Sequence, residues 1–138
     1  MERRSTIFEV PFVRGKGRVR FVRQTGRTYT PDSTAEAMER VRQAYVAAGG
    51  EKAPAGTPVG VLIMASRPMP KSRPKRVESE PDTYKPDADN IAKLVLDALN
   101  GVAWHDDTQV IDLQVMKASR TRGCEERTRV AVVWKEQG

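Results

Sequence analysis

The chain has 138 residues, enough to bury the core of one α/β-type domain and too few for two comfortable ones. Lysine and arginine outnumber aspartate and glutamate by 24 to 18, which favours a polyanionic partner, nucleic acid first, and disfavours an acidic one. A single cysteine, Cys124, excludes an intrachain disulfide and fits a reducing, cytoplasmic compartment; no apolar run approaches a bilayer span, and MERRSTIFEV lacks the apolar core of a secretory signal.

Residues 6–13, TIFEVPFV, are mostly β-branched and aromatic and predict a first strand, with Pro11 at an edge or bend. In RGKGRVRFVR, the cations Arg14, Lys16, Arg18 and Arg20 recur at every second position, so an extended chain presents all four on one side. Such a stripe suits a DNA backbone and equally a solvated edge strand guarded by charge. Ser33 and Glu36 stand at capping-box spacing ahead of a helix over about 33–48. Its stripe of Met38, Val41, Tyr45 and Ala48 belongs to the core, and Gly49-Gly50 ends it.

Residues 57–65, TPVGVLIMA, form a short continuous apolar run that predicts a strand buried on both faces. The next segment, SRPMPKSRPKRVESEPDTYKP, holds five of the nine prolines, a density that forbids regular structure and predicts a long mobile loop at about 66–84. Arg67, Lys71, Arg73, Lys75 and Arg76 occur there with no acid between 66 and 77, the composition of a phosphate-facing arm or of a disordered linker. A second helix is predicted from Asp87 or Asp89 to Leu99. Ile91, Leu94, Val95, Ala98 and Leu99 make its apolar stripe, and Asn100-Gly101 stops it. TQVIDLQVMK and residues 128–134 predict two further strands.

The chemistry gathers around that second helix. In YKPDADN, Pro86 biases Lys85 toward extended geometry, so the chain turns helical within the DAD and both Asp87 and Asp89 stand near the positive end of the helix dipole. One aspartate can be explained as an N-cap, and Asp89 can pair with Lys93 at i+4. Either role leaves the other aspartate, and it leaves Asp106-Asp107 in WHDDTQV just beyond the helix. If one of that pair returns to the helix start, three carboxylates converge and require a cation. Oxygen-only ligands suit Mg²⁺, with Mn²⁺ as a substitute, and a metal-activated water on a basic surface points to phosphodiester hydrolysis. Lys93 then adds positive charge at the transition state or orients the water. The lone His105 reads as a surface residue and Trp104 as a buried anchor of the loop.

The segment KPDADNIAKLVLDALNGVAWHDDTQV, residues 85–110, resembles the signature of the RusA family of Holliday-junction resolvases, crossover-junction endodeoxyribonucleases common in phages and prophages. EVPFVRGKGRVRF followed by GRTYTP is similar to that family's basic first hairpin. The resemblance implies an α+β fold, a single domain with a mixed β-sheet and two main helices. It also implies a homodimer whose two sites face opposed strands of a four-way junction. Carried over by position, Asp87, Asp89 and Asp107 are implied as metal-binding catalytic carboxylates and Lys93 as catalytic. Asn90 is implied to orient them, and Asp106 is able to exchange roles with Asp107. Asp97 reads equally as a structural residue or part of the site. Similar proteins often carry an aromatic and a lysine where this chain has Met116-Lys117-Ala118-Ser119, so no DNA contact is assigned to that strand.

The expectation is therefore a Mg²⁺-dependent, structure-selective nuclease that resolves four-way DNA junctions by paired nicks, leaving 5′-phosphate ends. Arg14, Lys16, Arg18, Arg20, Lys71, Arg73, Lys75 and Arg76 would track the DNA. No membrane is involved. The competing expectation is a non-catalytic branched-DNA-binding protein whose carboxylates are caps and ion pairs.

Overall fold

The computed structural model describes residues 2–17, 20–22, 27–29 and 32–136. Four strands form a mixed sheet in the order β1 (Arg3–Val10), β8 (Arg127–Lys135), β4 (Val59–Ser66) and β6 (Val110–Lys117). The β1–β8 and β8–β4 pairs are antiparallel and β4–β6 is parallel. Two short ribbons, β2 (Arg20–Val22) with β3 (Arg27–Tyr29) and β5 (Ser79–Glu80) with β7 (Arg120–Thr121), lie outside the main sheet. With the helices α1 (Asp32–Ala47) and α2 (Ala88–Leu99), this is a single-domain α+β fold.

The two helices lie against one face of the sheet. Phe8 on β1, Val130 on β8 and Ile63 on β4 occupy one cross-strand row, and all three are buried. The α2 stripe of Ile91, Leu94, Val95, Ala98 and Leu99 packs with them, joined by Val41 and Tyr45 of α1. The Tyr45 ring meets Phe8 edge-on at 5.8 Å between centroids. One row away, Ile7, Leu62 and Met64 are exposed. The expectation that β4 is buried on both faces is therefore corrected: its pattern alternates, because among the described residues no element covers the opposite side of the sheet.

Helix α1 opens at Asp32, so Ser33 lies inside its first turn rather than at the cap, and Ala48 is exposed just past its end. The predicted stop holds for two separate reasons. Gly49 takes φ +84°, with its N–H and that of Gly50 donating back to Val46 O and Tyr45 O at 3.0 and 2.9 Å. At Gly50 a Cβ would come within 2.4 Å of the Tyr45 ring. Helix α2 is the crossover that parallel pairing of β4 and β6 requires.

The basic stripe is also corrected. Residues 12–17 form no strand, because this stretch docks against the start of α2: Lys16 N–H donates to Asn90 O at 3.1 Å. Arg18 lies outside the described residues. Among those residues, no helix is long and apolar enough to cross a membrane.

Leu94 is fully buried between α2 and the sheet. Leu94→Ala is expected to lower unfolding free energy by about 2–5 kcal/mol through lost burial and the residual cavity. Urea denaturation read by circular dichroism measures it.

Candidate active site

The chain reaches α2 extended, with Asp87 at the N-cap position (φ −68°, ψ 154°) and Ile91 N–H donating to Asp87 O at 3.1 Å. The Asp87 side chain makes no capping hydrogen bond. Asp89 forms no ion pair with Lys93 among the described residues, although both are exposed one turn apart. Neither structural role that could account for these two carboxylates is filled. Beside them, Gly15, Lys16, Lys85, Pro86, Asp87 and Asn90 line an open cleft. Gly15 is needed for close approach: a Cβ there would stand 2.9 Å from Cβ of both Asn90 and Pro86. Lys16 pairs with Asp97, each side chain about a third exposed, which gives Asp97 a structural task and occupies the Lys16 ammonium.

The adjacent aspartates beyond α2 are used differently. Asp106 caps a single 3-10 turn over Asp107–Gln109, accepting from Thr108 N–H at 2.9 Å. Hydrogen bonds from the Thr108 backbone and side chain hold its carboxyl below the usual range. Asp107 Oδ1 accepts from the indole Nε1–H of fully buried Trp104 at 2.7 Å. Trp104 thus anchors the loop through a hydrogen bond as well as burial. His105 is exposed and contributes its backbone N–H to Gln109 Oε1 at 2.8 Å.

Gln109 fixes this turn. Its buried amide accepts from His105 and Asp106 N–H and donates to Pro54 O at 2.9 Å and Thr57 O at 3.0 Å. The only hint in the sequence is its place in D-D-x-Q.

The convergence expected of Asp87, Asp89 and Asp107 is not found. Among the described residues, no three Asp, Glu, His or Cys side chains are grouped so that they could hold a metal ion. The donor chemistry still fits a hard divalent cation, because Asp87 and Asp89 offer only oxygen, the Asp87 side chain makes no cap, and neither has an ion-pair partner among the described residues. Mg²⁺ is commonly bound by one or two carboxylates and completed by water and substrate phosphate, so three grouped side chains are not required.

The basic loop is more internally paired than its composition suggests. Arg67 forms a forked pair with Asp82 at 2.6 and 2.9 Å; Arg73 and Arg120 both pair with Glu80. The Glu80 carboxyl is held below its usual range, first by the hydrogen bond from Arg120 and then by that from Arg73. Arg120 also lies 3.8 Å from the centroid of the Tyr84 ring. Lys71, Lys75 and Arg76 are exposed and make no ion pair among the described residues, and Arg14 lies over the Phe12 ring at 4.9 Å. The acids that do the pairing follow the cationic run in ESEPD, too far along the chain for a local charge count to reveal.

Gln109→Ala removes four hydrogen bonds from a buried turn and is expected to cost about 2–4 kcal/mol, since deserted buried partners are expensive. Thermal melts against the wild type measure it.

Part of the chain is similar to a curated relative, the "Uncharacterized protein YqaN" of Bacillus subtilis (strain 168). The two are 44% identical over 68 residues, covering 44% of this chain and 48% of the relative. The match thus spans about half the length of that relative. The family model described as "Endodeoxyribonuclease RusA" matches residues 11–133, a span that holds the carboxylates at the start of α2, the Asp106-Asp107 turn and the strands that carry them. The chain belongs to the RusA endodeoxyribonuclease family.

Proposed function

We propose that the protein is a Mg²⁺-dependent endodeoxyribonuclease that resolves four-way DNA junctions by paired nicks, leaving 5′-phosphate and 3′-hydroxyl ends. Membership of the RusA family supports the nuclease class. The observation that carries the site is the pair of carboxylates at the start of α2 beside a basic cleft, with no capping hydrogen bond from the Asp87 side chain and no ion pair to either aspartate among the described residues.

In this reading Asp87 and Asp89 would hold the divalent cation, with Mn²⁺ able to replace Mg²⁺, and Asp107, which is not grouped with them among the described residues, would complete the set once the cation is bound. A cation held there supplies Lewis acidity toward a phosphoryl oxygen and makes water a better nucleophile. Asp107 keeps one oxygen on Trp104, which fixes its plane. Lys93, exposed one turn into α2, offsets charge on the scissile phosphate. Asn90 sets the geometry of the turn, its carbonyl tied to Lys16 N–H and its Cβ against Gly15. Lys71, Lys75, Arg76 and Arg14 supply exposed charge for the DNA backbone. Arg18 and Arg20, whose side chains lie outside the described residues, are assigned the same role from the sequence alone. Lys16 and Arg73 contribute less, because carboxylates already engage them.

Paired nicks need two sites, and the proposed second copy packs on the uncovered face of the sheet. Leu62, Met64, Met116 and Ile7 are exposed there, with Val133 and Ala131 between them. Contiguous exposed apolar surface of this kind is uncommon on monomers. Leu62→Asp is expected to convert a dimer to a folded monomer in sedimentation equilibrium and to uncouple the two nicks.

A non-catalytic branched-DNA-binding protein is the second reading, favoured by the lack of three grouped ligands among the described residues. Incubation of a labelled four-way junction with Mg²⁺ or EDTA separates the two. Metal-dependent products are expected. Asp87→Asn should abolish them while junction binding stays equal or tightens, because negative charge beside phosphate is removed. Undiminished cleavage by Asp87→Asn would sink the site assignment.

A further inference from the structure

We infer that Arg67 is a positioning residue for the Asp87–Asp89 turn, acting through the backbone of Tyr84 and Lys85; this rests on the proposed nuclease site and deepens it. Arg67 directly follows the C-terminal end of β4, and Lys117 closes the neighbouring parallel strand β6, so both cations leave the same end of the sheet. They converge on one segment. The Arg67 guanidinium spends Nε and one terminal nitrogen on Asp82 at 2.9 and 2.6 Å, and its other terminal nitrogen donates to Lys85 O at 2.8 Å. Lys117 Nζ donates to Tyr84 O and lies 3.8 Å from Asp82. Asp82 Oδ1 in turn accepts from Tyr84 N–H at 3.3 Å.

The Arg67–Asp82 pair at the centre of the clamp is sheltered, while its contacts to Lys85 O and Tyr84 O lie at the surface. The Asp82 side chain is 2% exposed and that of Arg67 is 19%. A buried carboxylate with two cationic partners and a backbone donor has few alternative arrangements. Burial by itself would raise the Asp82 carboxyl, but the Arg67 and Tyr84 hydrogen bonds and the charges of Arg67 and Lys117 bring it below its usual range. The held carbonyl of Lys85 is two residues before Asp87. The sheet end therefore sets where the carboxylates begin, and a planar five-donor head is needed to reach Asp82 and Lys85 O at once.

Arg67→Lys keeps the charge and can keep one contact to Asp82, but it loses the fork. A double variant, Arg67→Gln with Asp82→Asn, removes both members of the Arg67–Asp82 ion pair together and leaves Lys117 its contact to Tyr84 O. Three measurements are made on the full chain: junction binding in Ca²⁺, the single-turnover cleavage rate at saturating junction in Mg²⁺, and amide hydrogen exchange along residues 84–90. For both variants the expected result is unchanged binding, a cleavage rate lowered about 10- to 100-fold, and faster exchange confined to 84–90. Wild-type cleavage rates in both variants overturn the inference, as does a rate loss accompanied by weaker binding and faster exchange throughout the core. If the wild-type protein cleaves no junction, the nuclease reading fails instead, and exchange alone decides the clamp: local acceleration upholds it and unchanged exchange overturns it.

Discussion

Parallel pairing of β4 with β6 constrains everything around the site. Parallel neighbours cannot be joined by a tight turn, so the chain leaves the sheet after Ser66 and returns through a helix before Val110. That excursion contains the basic loop, the carboxylate turn, α2 and the Asp106-Asp107 turn. The two ends of the excursion are held by different devices. At the outgoing end Arg67 and Asp82 tie the loop back to the sheet; at the returning end Gln109 and Trp104 fix the second pair of aspartates. The apolar stripe of α2 sets the distance between them.

Much of this was legible from the sequence. The α2 stripe, the strands on either side and the ending of α1 at Gly49-Gly50 follow from local periodicity and backbone freedom, which need no tertiary knowledge. The carboxylates stood out because one cap and one i+4 pair could not account for all of them. The structure sharpens this, since among the described residues the Asp87 side chain makes no capping hydrogen bond and Asp89 makes no ion pair with Lys93.

What was not legible is long-range pairing. Nothing near Lys16 announces Asp97, 81 residues away, and the cationic run at 66–77 conceals that Arg67 and Arg73 are matched by Asp82 and Glu80. Burial of β4 was misjudged for a related reason. A run of apolar residues shows that a strand can be covered on both sides, but only the arrangement of the helices shows that one side is left open. The grouping of three carboxylates was likewise a statement about tertiary distances, and spacing along the chain does not determine those.

The cations of the loop consequently fall into two populations that respond differently to ionic strength. Exposed charges such as Lys71, Lys75 and Arg76 are screened over a Debye length of about 8 Å in physiological salt, whereas the pair between Arg67 and Asp82 is sheltered from mobile ions. Salt would therefore loosen the proposed hold on DNA long before it disturbs the scaffold behind the carboxylates. A molecule stripped of nucleic acid during a high-salt purification would come off with its Asp87–Asp89 turn still in place, ready to re-engage once the salt is dialysed away.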